Sequence, residues 1–196
     1  MILPIVAYGD PVLRKVAVDI DANYPDLDKL ITNMKETMYN ASGVGLAAPQ
    51  IGKAIRLFLI DASPFAEDEE LSDKDRAALK DFNKVFINAQ ITEEEGDEWV
   101  FNEGCLSIPD IREDVFRQPK ITIEYQDENF KKHTETLDGL AARVFQHEYD
   151  HIEGILFTDK LSTLRKRLIK KKLENISKGK IRADYRMRFP NAKKGK

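Results

Sequence analysis

Between Gln146 and Gly154 the chain reads QHEYDHIEG, which contains H-E-x-x-H. On a helix, His147 and His151 lie one turn apart, about 6 Å along the axis, and face the same way. Two imidazoles so placed can share one metal ion, while Glu148 on the neighbouring flank can reach a water on that ion. The competing explanation is a coincidence on an exposed helix. Against it, the histidines interrupt an apolar face, where unliganded imidazoles would need hydrogen-bond partners of their own.

A catalytic metal site usually takes three protein ligands and leaves one position open. In the extended pattern HExxHxxGxxH, Gly154 matches the glycine, but the third ligand would fall on Phe157, which cannot coordinate. The acids after His151 other than Asp159 and Asp184 are Glu153, expected to point away along the helix, and Glu174, in a basic stretch. His133 lies in an alternating, strand-like run and is a weak choice. Cys105 is the better candidate. It sits in EGCLSIP, Glu103 to Pro109, just after a strand-like run, with a glycine beside it that allows close backbone approach. Thiolate is a strong ligand for zinc or ferrous iron, so Cys105, His147 and His151 make a Cys-His-His set with a free fourth corner. Otherwise a lone cysteine is most often a small buried hydrophobe.

These residues need elements to hold them. Leu27, Leu30, Ile31, Met34, Met38 and Ala41 recur at helical spacing after Pro25, a residue suited to a first turn, and Ser42-Gly43 ends that helix. Ile55–Ile60 reads as a buried strand. Further strand-like runs occur at Val85–Ile91, Glu98–Asn102, Lys120–Gln126 and Phe130–Thr136, the last two joined by a hairpin loop. The histidines fall on a helix expected from about Asp138 to Ile152, with Gly154 as its stop. A basic helix should run from about Leu161 to Ser177, with Leu161, Leu164, Leu168 and Ile176 on its apolar side. The expected fold is α+β, with mainly antiparallel sheets packed around the central HExxH helix and a C-terminal helix.

Length and composition frame this. The chain has 196 residues, 42% hydrophobic and 33% charged, which suits one catalytic domain over residues 1–196 and excludes a disordered chain. The acidic stretch 62–83 reads as a surface insertion with a short helix from Ser72 to Asp81. Residues 160–196 carry 15 Lys and Arg against Glu174 and Asp184, while the remainder holds 16 bases and 32 acids. A basic helix and tail on an acidic body points to a polyanionic partner or to a solvated amphipathic helix with a frayed end. One cysteine excludes an internal disulfide and fits a reducing compartment. No run approaches the roughly 20 apolar residues of a membrane span. Pro4, Gly9 and Asp10 break the opening apolar stretch, so the expectation is a soluble, cytoplasmic protein with no membrane partner, a monomer by default.

Three segments together carry a resemblance. GVGLAAPQ (Gly43–Gln50), EGCLS (Glu103–Ser107) and QHEYDH (Gln146–His151) resemble, in order and spacing, the three signature motifs of the peptide deformylases, and the early YGDPVLR is similar too. The resemblance implies Cys105, His147 and His151 as metal ligands and Glu148 as general base and acid. It implies Gln50 and the Leu106 N–H as oxyanion donors, and Gly45 as a backbone contact near the reacting carbonyl. Val44, Leu140 and Val144 fall where the family lines a methionine pocket, and Arg112 falls near its mouth. One divalent ion is implied, Fe(II) natively, with zinc, nickel or cobalt able to take the same ligands. The implied reaction removes the N-formyl group from the first methionine of nascent peptides and releases formate. A contact between the basic C-terminal region and the ribosome is a further expectation.

Two rival functions remain at this level. A zinc endopeptidase shares H-E-x-x-H but lacks its downstream third ligand here. An RNA- or ribosome-binding module with a structural metal would need a fourth protein ligand, and none is evident.

Overall fold

The computed structural model describes residues 1–192. In chain order its elements are β1 (Ile5–Val6), α1 (Leu27–Asn40), β2 (Gly45–Ala47), β3 (Leu57–Asp61), α2 (Asp73–Lys80) and β4 (Asn83–Glu95). There follow β5 (Trp99–Cys105), β6 (Ile108–Arg117), β7 (Lys120–Gln126), β8 (Lys132–Asp138), α3 (Gly139–Ile152), α4 (Thr163–Ser177) and β9 (Met187–Arg188). A five-stranded antiparallel sheet runs β2-β3-β4-β7-β8, β5 and β6 form a separate antiparallel hairpin, and β1 pairs with β9 in parallel. This is the α+β architecture expected, with α3 central.

The unbroken apolar run in β3 has a direct cause. Leu57 and Leu59 face a cluster formed with Leu30, Met34 and Met38 of α1, while Phe58 and Ile60 face one formed with Ala142, Val144 and Phe145 of α3. A strand covered on both faces has no reason to alternate. Phe145 meets Phe58 and Phe86 edge-on at 5.1 and 5.0 Å, seating α3 against the sheet. The opposite flank of α3 is thereby turned toward the β5–β6 hairpin. Asp138 caps α3 by accepting from the Gly139 N–H at 2.7 Å, and Gly154 follows its end at φ +72°.

Several expectations need correction. Helix α1 starts at Leu27, so Pro25 precedes the first turn rather than occupying it. Strand β6 has no counterpart in the sequence reading. Its inward positions alternate as they should, but two of them, Glu113 and Arg117, are charged residues buried in ion pairs. On α4 the buried apolar residues are Ile169, Leu173 and Ile176, whereas Leu164 and Leu168 are 65% and 60% exposed. The residues after α4 are not a frayed tail up to Asn191: the chain returns through Gly179 (φ +67°) and lays β9 beside β1, with Ile5 N–H donating to Arg186 O at 2.9 Å and Asn191 N–H to Ser177 O at 2.9 Å. The part of the basic tail expected at 193–196 lies outside the described residues. Stretch 62–83 holds α2 as expected, capped by Ser72, but it also sends Leu79 and Phe82 into the core.

Candidate active site

Two elements bring the metal-capable groups together. The β5–β6 turn presents Cys105, and one flank of α3 presents His147 and His151. Among the described residues these three form a group whose ligand atoms all lie within 4.8 Å of one another. Cys105 Sγ is 3.2 Å from His151 Nε2. The spacing in sequence produces the imidazole pair, whose rings stand at 81° with centroids 5.2 Å apart. One soft sulfur and two imidazoles suit a borderline divalent cation. Glu148 Oε2, on the cavity, is buried without a hydrogen-bond partner, as fits a carboxylate set for a ligand rather than for the protein alone.

Glu103, two residues before the cysteine, orients this set. Its Oε2 lies 2.9 Å from His147 Nδ1, which leaves Nε2 as the nitrogen free for a cation. The same carboxylate accepts from Arg117 Nε and Nη2 at 2.7 and 2.9 Å and from Arg143 Nη1 at 3.0 Å. Arg117 continues to Asp150 at 2.7 Å, and Arg143 donates to the Val115 and Trp99 carbonyls. The members are buried, so each charge depends on the others. Burial would raise the Glu103 pKa, but the hydrogen bonds from His147 and Arg117 and their charges hold it well below the carboxylate range. Burial likewise opposes charge on His147, yet hydrogen bonds with Cys105 and Glu103 raise its pKa well above the ordinary value. Burial, with the nearby His147 and Arg117 charges, drives His151 well below it. A cation would need both imidazoles neutral and the Cys105 thiol deprotonated, so its binding would compete with protons on these groups.

Sequence reasoning missed Glu103, Arg117, Arg143 and Asp150 as site residues. The signal available was Arg143 within the otherwise apolar run LAARVF, a position where an arginine needs buried acceptors.

Glu148 is buried and its pKa is pushed up to about 7, chiefly by that burial. Gly45 on β2 lies against it: a Cβ at Gly45 would stand 2.7 Å from the Glu148 carboxyl carbon, so only glycine lets the strand approach. Gln50 is buried in the short 3₁₀ turn Ala48–Ile51. Its Oε1 accepts from the Ala47 N–H at 2.8 Å, which orients the amide, and its Nε2 donates toward Cys105 Sγ at 3.5 Å and Ser107 Oγ at 3.4 Å.

Around these groups lies a cavity of about 660 Å³. Of the residues expected in the site, Val44, Gly45, Gln50, Cys105, Leu106, Arg112, Val144, His147 and Glu148 line it, and His151 sits behind Cys105. Leu140 is not on its wall; it packs against the core cluster beneath the sheet. Arg112 lies over Gly104 and is tied to the Asn102 side chain at 3.0 Å and to its carbonyl at 2.5 Å. Phe65, from stretch 62–83, joins the wall, as do Ala183, Asp184 and Tyr185 from the returning C-terminal segment. His133 is elsewhere, 2.7 Å from Asp127 and stacked on Tyr125, and Glu153 pairs with Arg56 at 2.6 Å.

Comparison with known proteins identifies a family for the chain. Residues 2–167 match the family described as polypeptide deformylase. Peptide deformylases of Christiangramia forsetii and Flavobacterium johnsoniae are 71% and 64% identical, each over 196 residues and the full length of both chains. The crystal structure of a peptide deformylase from Legionella pneumophila superposes with a TM-score of 0.77 at 37% identity, covering 92% of this chain and 98% of that one. By family match, sequence identity and fold, the chain belongs to the polypeptide deformylase family.

Proposed function

We propose that this chain hydrolyses the N-formyl amide of peptides that begin with formyl-methionine, releasing formate, and that the cleft between β2, the β5–β6 turn and α3 is where it does so. The observation that carries the reading is the convergence of Cys105, His147 and His151 beside Glu148 on one cavity. Those three residues would hold a divalent cation, Fe(II) natively, with zinc, nickel or cobalt able to occupy the same donors. When bound, such an ion supplies a Lewis acid that polarises a carbonyl and acidifies water.

The chain's own residues do the rest. Glu148, raised to about 7 by burial, is poised near neutral pH to take the proton of the attacking water and to pass it to the departing amine nitrogen. Gln50 Nε2 and the Leu106 N–H would donate to the formyl oxygen as charge grows on it. Each such donor is worth roughly 2.7–4 kcal/mol in comparable oxyanion holes. The Gln50 amide is oriented beforehand by the Ala47 N–H, so little reorganisation is needed. Val44 and Val144 supply apolar wall for the methionine side chain, and Arg112 stands on the same cavity.

The decisive assay measures formate release from a formyl-Met peptide, run anaerobically with metal content determined on the same sample. Release of formate with an unformylated peptide left intact supports the reading. Cleavage of internal peptide bonds without formate release would favour an endopeptidase instead.

The same reading places the protein in the cytoplasm as a monomer that meets nascent chains at the ribosome. No helix among the described residues is long and apolar enough to cross a membrane. Exposed Arg167, Lys170, Lys171 and Lys172 on α4 supply positive charge for rRNA phosphates. The test is charge reversal at Arg167, Lys170 and Lys171, since truncation would also remove β9. Ribosome co-sedimentation at low salt that is unchanged by the reversal would refute the contact.

A further inference from the structure

The Leu106 N–H acts only if its peptide is held still, and it lies in the tight turn between β5 and β6. Three contacts fix that turn. The Tyr8 N–H donates to Ser107 O at 2.8 Å, Gln50 Nε2 approaches Ser107 Oγ at 3.4 Å, and the Tyr185 hydroxyl donates to Leu106 O at 2.7 Å. Only the last is made to Leu106, through the carbonyl of the peptide that follows its N–H. It arrives from a segment beyond residues 2–167, the stretch that matches the family.

Tyr185 is itself well anchored. The next residue, Arg186, offers its carbonyl to the Ile5 N–H at 2.9 Å, and Arg188 reaches Asp10 at 3.1 Å. Its ring packs against the cluster that contains Leu46, Ala48 and the partly buried Leu106, and it lines the cavity. The hydroxyl is therefore delivered from a bend that is tied down immediately afterwards by the pairing of β9 with β1.

We infer that Tyr185 is a positioning residue for the reaction: by holding the Leu106 carbonyl, its hydroxyl fixes the peptide that follows the Leu106 Cα and so restrains, through the Leu106 backbone torsions, the direction in which the Leu106 N–H points into the cleft. The inference rests on the proposed role of that N–H. Tyr185 does not touch the reacting atoms, and its effect passes through the turn. A small misplacement of a donor that must meet a developing charge lowers turnover, while ground-state binding of the peptide is scarcely altered.

The test is Tyr185→Phe, which keeps the ring and removes only the hydroxyl. In metal-loaded protein assayed with a formyl-Met peptide, kcat per bound metal should fall about tenfold, with KM changed by less than about twofold. In metal-free protein, the amide ¹H–¹⁵N resonance of Leu106 should shift while those of α4 stay in place. A melting temperature that falls while kcat holds would mean that the hydroxyl only stabilises the fold, and the inference would fail. It would fail equally if the Leu106 resonance did not move. Wild-type protein that releases no formate refutes the functional reading instead, and the resonance still decides whether Tyr185 holds the Leu106 peptide.

Discussion

His147 and Glu103 are bound to one another across two elements, with Nδ1 of the ring 2.9 Å from the carboxylate Oε2. One residue comes from α3 and the other from β5, so this contact sets the distance between the helix and the hairpin on which Cys105 rides. It also commits the ring to presenting Nε2. Arg117 and Arg143 hold the carboxylate from its other side.

Glu103→Gln should therefore damage both metal affinity and fold. Residues that orient a ligating histidine typically contribute 10–100-fold to metal affinity. Removing one partner from a buried ionic set costs about 3–5 kcal/mol. Metal titration and denaturant unfolding would register the two effects. The sign with pH follows from the lowered Glu103 pKa: its contribution is full above the unfolded carboxylate value and disappears as pH falls through the lower folded one. The variant should thus differ most from wild type above about pH 5 and converge with it in strong acid.

Glu148→Gln should lower turnover by about 10²–10⁴-fold while metal remains bound. Stability moves the other way in the metal-free protein. Because the folded pKa is raised to about 7, Glu148 favours the fold in its protonated form, fully below the unfolded value, and that contribution is lost as pH rises through 7. Relative to wild type, the metal-free variant should be more stable at pH 8 than at pH 4, as read by paired denaturant curves. An equal difference at both pH values would refute burial as the cause of the shift.

Gly45→Ala would drive a methyl group into the Glu148 carboxyl. Overpacking of this kind costs about 1–3 kcal/mol. Because Gly45, on edge strand β2, is paired with Ile60 of β3, moving the strand would break that pairing, and the carboxylate moves instead. The expected result is a large loss of kcat with cation content intact, and mass spectrometry of the native protein would confirm the bound metal.

The two sides of α4 can be separated by substitution. Ile169→Ala should cost about 2–5 kcal/mol, as for other buried aliphatic truncations, whereas Leu168→Ala should stay within about 0.5 kcal/mol. Thermal melts of the two variants would show the contrast.

Much of this was legible beforehand, and the reasons are local. The histidine helix announced itself by its periodicity and by Gly154 at its end. The strands β3, β4, β7 and β8 announced themselves by β-branched and aromatic runs. Cys105 could be preferred as third donor because Phe157 cannot coordinate, Glu153 points away along the helix, and Glu174 lies in the basic stretch. What stayed hidden depends on partners far away in the chain. Glu113 and Arg117 disguise β6 because an ion pair, not apolarity, justifies their burial. Helix α4 carries two apolar stripes roughly a third of a turn apart, and only the body beneath decides which is covered. The short pairing of β9 with β1 has no periodic signature at all, and with it Tyr185 escaped notice.

That pairing has a kinetic consequence. Ile5 and Met187 stand near opposite ends of the described chain, so bringing them together closes almost the whole length into a single loop, an entropic toll that short-range contacts never face. The β5–β6 hairpin and α3 can meet long before this happens. Refolding should accordingly proceed in two stages, an early one that restores the sheet and a late one that docks the returning strand, with catalytic competence appearing only alongside the second.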